Sequence, residues 1–112
     1  MKNKVLFITG GAKGIGAEVA TLFAKCGYDI LLHYNTSKEK AYTLKDKLEN
    51  QFNTEVTLLE GDLTSSSAFA EIINGIKEKY EHIDVLINNA ALSAIDSFMK
   101  DDFVDDPEEL PF

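Results

Sequence analysis

The chain is 112 residues long, with 45% hydrophobic and 27% charged residues and a formal net charge of −8 at pH 7. That length suits one domain with a sizeable core and hardly two, and the acidity argues against nucleic acid or an anionic membrane surface as partner. No apolar run approaches the ~20 residues needed to cross a bilayer; the first residues do not read as a signal peptide, and the single cysteine, Cys26, rules out an internal disulfide, so a cytoplasmic location is expected.

In chain order, residues 4–9 are predicted as the first strand, an apolar run of the kind buried on both faces in a parallel sheet. A turn rich in glycine follows, Gly10-Gly11-Ala12-Lys13-Gly14-Ile15-Gly16, and opens directly into a helix. Strand, glycine turn and helix N-terminus together form a site for phosphate or pyrophosphate, because the first N–H groups and the positive dipole end face the turn. In that helix Ile15, Val19, Leu22, Phe23 and Cys26 fall at helical spacing, so Cys26 is expected to pack on the buried face, and Gly27 stops the helix.

Asp29–Tyr34 is the second predicted strand. Thr36 and Glu39 have the spacing of a capping box, and Ala41, Leu44, Leu48 and Phe52 continue as one apolar stripe, with the lysine-rich face of residues 38–47 turned to solvent. Residues 55–59 are the third strand; Phe69, Ile72, Ile73, Ile76 and Tyr80 mark a third helix, in which Gly75 costs about 1 kcal/mol relative to Ala. Residues 83–87 are the fourth strand, ending at Asn88-Asn89-Ala90-Ala91.

Strands alternating with helices imply a parallel sheet covered on both faces, joined by right-handed crossovers. Ligands of such sheets bind beyond the carboxyl ends of the strands. Each polar feature of note lies there: residues 9–16 after strand one, 34–38 after strand two, Asp62 after strand three and 88–91 after strand four.

The common dinucleotide fingerprint G-x-G-x-x-G is not met, because Val19 stands where its third glycine belongs. The pattern present is T-G-x-x-x-G-x-G, formed by Thr9, Gly10, Gly14 and Gly16. With Asp62-Leu63 and Asn88-Asn89-Ala90-Ala91 in order behind it, the chain resembles the N-terminal half of a short-chain dehydrogenase/reductase, and within that family the 3-oxoacyl-carrier-protein-reductase-like members. The resemblance covers about residues 3–91. It implies a Rossmann-type α/β fold, here incomplete, with about four strands in the order 3-2-1-4.

By the same resemblance Gly10, Gly14, Ile15 and Gly16 cradle the pyrophosphate and ribose of a dinucleotide. Asp62-Leu63 matches the family's D-[LV] pair, whose acid receives the adenine amino group. Asn89, Ala90 and Ala91 belong to its N-N-A-G motif, which steadies the sheet and lines the nicotinamide-side ribose; Ala91 replaces the glycine.

Taken singly, these residues have plainer readings. Asp62 alone is an ordinary helix-start residue, and Asn88-Asn89 alone an ordinary turn. His33 has no other metal-ligating residue at a useful spacing and reads as a satisfied structural histidine. His82 reads as solvated.

Cofactor choice rests on charge near the adenine ribose. An acid at the end of strand two would favour NAD by binding a free 2′-hydroxyl. The chain has Tyr34-Asn35-Thr36-Ser37-Lys38 there, and Lys13 within the glycine turn. Hydroxyls, an amide and two lysines suit a 2′-phosphate, so Lys13, Asn35, Thr36 and Ser37 are expected to select NADP(H).

The family's general acid/base is a tyrosine in a Y-x-x-x-K motif, with a serine that positions the substrate oxygen. The four tyrosines, Tyr28, Tyr34, Tyr42 and Tyr80, are read as lacking a lysine at that distance, Tyr42 and Tyr80 being followed there by Asp46 and Asp84, and no catalytic residue is assigned. Residues 1–91 are read as a dinucleotide-binding half-domain. Residues 92–112, with six acids and no base in the last twelve, are read as the start of the next helical region or an acidic tail. Strand four is left as an apolar open edge, which predicts self-association or pairing with a missing second half. Two functions follow: the cofactor-holding part of an NADP(H)-dependent reductase, inactive alone, or a non-catalytic nucleotide-binding module with an acidic partner-binding tail.

Overall fold

The computed structural model describes residues 3–90; Ala91 and the segment 92–112 lie outside the described residues. Four parallel strands, β1 (Val5–Thr9), β2 (Asp29–Tyr34), β3 (Val56–Glu60) and β4 (Val85–Asn88), form one sheet in the order β3-β2-β1-β4, as expected. They alternate with α1 (Gly14–Lys25), α2 (Lys38–Gln51) and α3 (Ser66–Lys79).

Side chains alternate across the sheet. Leu6, Ile8, Ile30, Leu32 and Val56 face α1 and α2, meeting Ala20, Ala24, Leu44 and Leu48. Val5, Phe7 and Leu31 face α3 and meet Ile72 and Ile76. Because β1 and β2 are covered on both sides, they can carry unbroken apolar runs, Val5 to Ile8 and Ile30 to Leu32, and each large side chain so buried contributes about 1.5–3 kcal/mol.

Strand ends differ from expectation by one or two residues, for local reasons. Asp84 precedes β4 rather than lying in it, because its carboxylate accepts the Val5 N–H at 2.7 Å. β3 runs on to Glu60, which pairs with Tyr34.

The buried face of α1 is also not the expected one. Gly16, Ala20 and Ala24 are buried, whereas Ile15 and Leu22 are 72% and 62% exposed, and Cys26 is an exposed free thiol at the C-cap. This helix lies so close to the sheet and turn that only small residues fit between them, and Val19 and Phe23 pack at the flanks. The α2 stripe is as expected, with Ala41, Leu44 and Leu48 buried and Phe52 against the core, but the capping box is not formed: the N-cap is Ser37, and its side chain makes no cap bond. Lys45 does not simply point to solvent either, since its Nζ pairs with Glu49 at 2.9 Å and also donates to the Val56 carbonyl.

Among the described residues β4 pairs with β1 alone, and Leu86 on it is 63% exposed. No helix among the described residues is long and apolar enough to cross a membrane.

Candidate dinucleotide site

The strand carboxyl ends meet through a set of short bonds around Gly10. At the end of β1, Thr9 Oγ1 donates to Asn88 Oδ1 at 3.0 Å and accepts the Ala90 N–H at 3.1 Å. Asn89, only 7% exposed, donates from Nδ2 to the Gly10 carbonyl at 2.8 Å. From the other side the Gly10 N–H donates to His33 Nδ1 at 2.9 Å, and the Gly11 N–H donates to the His33 carbonyl at 2.9 Å. The glycine turn is thus held between β2 and β4. Gly10 sits at φ +62°, where a β-carbon would be strained.

Gly16 meets a different demand. A β-carbon there would lie 2.5 Å from the Gly10 carbonyl oxygen and 2.9 Å from Gly11 Cα, so glycine lets the first turn of α1 press against the loop. That first turn is left chemically open. Its N-cap, Lys13, makes no side-chain cap bond, and no acid occupies the turn. A helix end with uncapped N–H groups and no nearby carboxylate favours an anion.

A cavity of about 710 Å³ opens over this helix end. Of the residues selected from sequence, Gly10, Lys13, Gly14 and Ile15 line its loop side; Asn35, Thr36 and Ser37 line its β2 side; Asn89 and Ala90 line the β4 side. Gly16, Asp62 and Leu63 do not line it, and Ala91 lies outside the described residues.

Asp62 is instead part of a turn. Its Oδ1 accepts from Thr64 Oγ1 at 2.7 Å and from the Thr64 N–H at 2.9 Å, and these bonds hold its pKa below the ordinary carboxylate value. It is not the helix-start residue either, because Ser65 caps α3. Leu63 packs against the core on the α3 side.

The lining adds residues that sequence reasoning missed. Ala12 and Tyr34 pack together with Ala41, tying the glycine turn to α2. Burial raises the Tyr34 pKa above its ordinary value, with nearby Glu60 and Tyr42 adding to the effect. The second lysine at the cavity is Lys40, not Lys38: Lys40 lines it from the first turn of α2, a position that had read as solvent-facing. Among the described residues no carboxylate lines this cavity.

Contrary to the sequence reading, Y-x-x-x-K spacing does occur once, at Tyr34 and Lys38. The two cannot act as a helical pair, since Tyr34 ends β2 in a buried cluster and Lys38 begins α2 in solvent. His82 is exposed as expected, but lies 3.3 Å from Asp84. Among the described residues no group of three His, Cys, Asp or Glu could hold a metal.

The model of one protein family, short chain dehydrogenase, matches residues 4–107. The chain belongs to this family. Among its short chain dehydrogenase relatives, an uncharacterized oxidoreductase of Bacillus subtilis, YmfI, is 33% identical over 81% of this chain and 36% of its own length. The 3-oxoacyl-[acyl-carrier-protein] reductase FabG of Staphylococcus epidermidis is 27% identical over 88% of this chain and 40% of its own. A solved short-chain dehydrogenase from Sphingobium yanoikuyae, in complex with NADPH, superimposes with a TM-score of 0.66 at 29% identity, covering 74% of this chain and 32% of that one. The chain spans little more than a third of the curated relatives it matches first.

Proposed function

We propose that this chain is the NADP(H)-holding portion of an oxidoreductase acting on a carbonyl or alcohol. The observation that carries this reading is the cavity lining: Lys13, Asn35, Thr36, Ser37 and Lys40, with no carboxylate among the described lining residues, beside an uncapped helix N-terminus. The α1 end would hold the pyrophosphate, and Lys13, Asn35, Thr36, Ser37 and Lys40 would hold the 2′-phosphate. A bound nicotinamide supplies hydride chemistry. The chain's part is to bind and orient it, with Asn89 and Ala90 on the β4 side of the same cavity.

The chain alone is expected to bind cofactor without turnover, because the one Tyr–Lys spacing among the described residues does not form a helical acid/base pair. Residues 92–112 are read as the continuation of the family's fold, a reading supported by the family match running to residue 107. The β4 edge, with Leu86 exposed, is read as the surface on which the rest of such a fold, or a second copy, would pack; sedimentation that stays monomeric at high concentration would count against the second copy.

Fluorescence titration tests the cofactor reading. NADPH is expected to bind about tenfold or more tightly than NADH, the scale of a lost charge-assisted contact, and replacing Lys13 and Lys40 together by alanine should narrow that gap. Equal affinities for NADPH and NADH would refute the choice of cofactor.

A further inference from the structure

His33 is 2% exposed and is among the residues lining the cavity, yet both of its ring nitrogens are engaged within the chain. Its bonds define its state. Nδ1 accepts the Gly10 N–H at 2.9 Å, so Nδ1 is unprotonated. Nε2 lies 2.7 Å from the Gly61 carbonyl, which can only accept, so Nε2 carries the hydrogen. The ring is the neutral Nε2–H form, held at both nitrogens, with neither free for a metal or for proton transfer to a substrate.

The ring and its own carbonyl supply two of the bonds around Gly10. His33 Nδ1 ties the peptide before Gly10 Cα; the His33 carbonyl and Asn89 tie the peptide after it. Both peptides flanking the residue at φ +62° are therefore fixed, and the turn arrives at the α1 N-terminus in one conformation. Without Nδ1 as acceptor the Gly10 N–H loses its partner, and the peptide before it is free to rotate toward the cavity.

We propose that His33 is a positioning residue for the dinucleotide: its Nδ1 sets the Gly10 peptide that shapes the pyrophosphate turn, while Nε2 only anchors the ring to the end of β3. This rests on the NADP(H) reading above. It separates the two ring nitrogens by function, and amide side chains can separate them by experiment. Asparagine places an oxygen near the Nδ1 position but cannot reach Gly61; glutamine reaches toward Gly61 but leaves Gly10 N–H unpaired.

The test is NADPH titration and thermal melting of the full chain and its His33→Asn, His33→Gln and His33→Leu variants, with the ring nitrogens of the unaltered chain observed by 15N NMR. His33→Asn is expected to bind within about threefold of the parent, whereas His33→Gln and His33→Leu lose about tenfold, the scale of one buried hydrogen bond. His33→Asn and His33→Gln should lose similar melting temperature. Affinity that simply follows melting temperature across the three variants, or that survives in His33→Gln and fails in His33→Asn, overturns the proposal. Should the variants not fold, a protonated Nδ1 in the parent overturns it and a protonated Nε2 with bare Nδ1 supports it. A parent chain that binds no NADPH would instead refute the cofactor reading, which the ring spectrum does not depend on.

Discussion

Helices α1 and α3 both leave the carboxyl end of a strand, and both contain a glycine, but they treat their N-termini in opposite ways. α3 closes its own end: Ser65 Oγ accepts the Ala68 N–H, and the helix lies on the sheet through the large side chains of Ile72 and Ile76. α1 has no side-chain cap and no acid in its first turn, and it approaches the sheet through Gly16, Ala20 and Ala24. A helix that satisfies its own end needs nothing there. One that leaves its end open, and gives up large apolar contacts to come near a glycine turn, is shaped for a ligand at that end.

The sharpest way to break this contrast is Gly16→Ala. Alanine is the better helix former by about 1 kcal/mol, so propensity alone predicts a gain. The added methyl would instead lie 2.5 Å from the Gly10 carbonyl oxygen, 2.7 Å from Asn89 Nδ2 and 2.9 Å from Gly11 Cα, where backbone has to move. The expected outcome is a net loss of about 1–3 kcal/mol in stability, read by thermal or denaturant unfolding, together with loss of NADPH binding by titration. Unchanged stability and affinity would mean that the close approach of α1 to the turn carries no function.

Next in size is Ser65→Ala, which removes the cap of the other helix. It should cost about 1 kcal/mol of stability and leave NADPH affinity as it was, because Ser65 is not among the residues lining the cavity. A loss of affinity larger than the loss of stability would show that the two helix ends are coupled and the contrast false.

The element order was legible in sequence, because β1 and β2 carry runs of apolar residues and polar clusters or glycines break the chain after each strand; the strand order was what the family resemblance implied. The glycine turn was legible for the same reason, as spacing. What sequence concealed were contacts between segments. The stripe of Ile15, Leu22 and Cys26 looked like a buried face because hydrophobicity was read as burial; proximity to the turn selected Gly16, Ala20 and Ala24 instead. Lys40 reads as one of several exposed lysines until α2 is placed against the end of β2. His33 was correctly read as a satisfied core histidine, but its partners Gly10 and Gly61 are 23 and 28 residues away, and no local pattern announces them. Asp62 is the reverse case, prominent in its motif yet engaged with its neighbour Thr64 and outside the cavity lining.

The smallest expected effect has the opposite sign and comes from the second helical glycine. Gly75 lies within α3 with nothing within 4 Å of where a β-carbon would stand, and its backbone is not in the left-handed region. Gly75→Ala therefore meets no steric demand and should gain about 0.5–1 kcal/mol, through helix propensity and a less disordered unfolded chain. NADPH affinity should not change. One substitution applied to two helical glycines is thus expected to move stability in opposite directions. If Gly75→Ala destabilised the chain as Gly16→Ala does, glycine would be serving α3 in some way that its open surroundings do not explain, and the distinction between a helix shaped for a ligand and one shaped only for the core would fall.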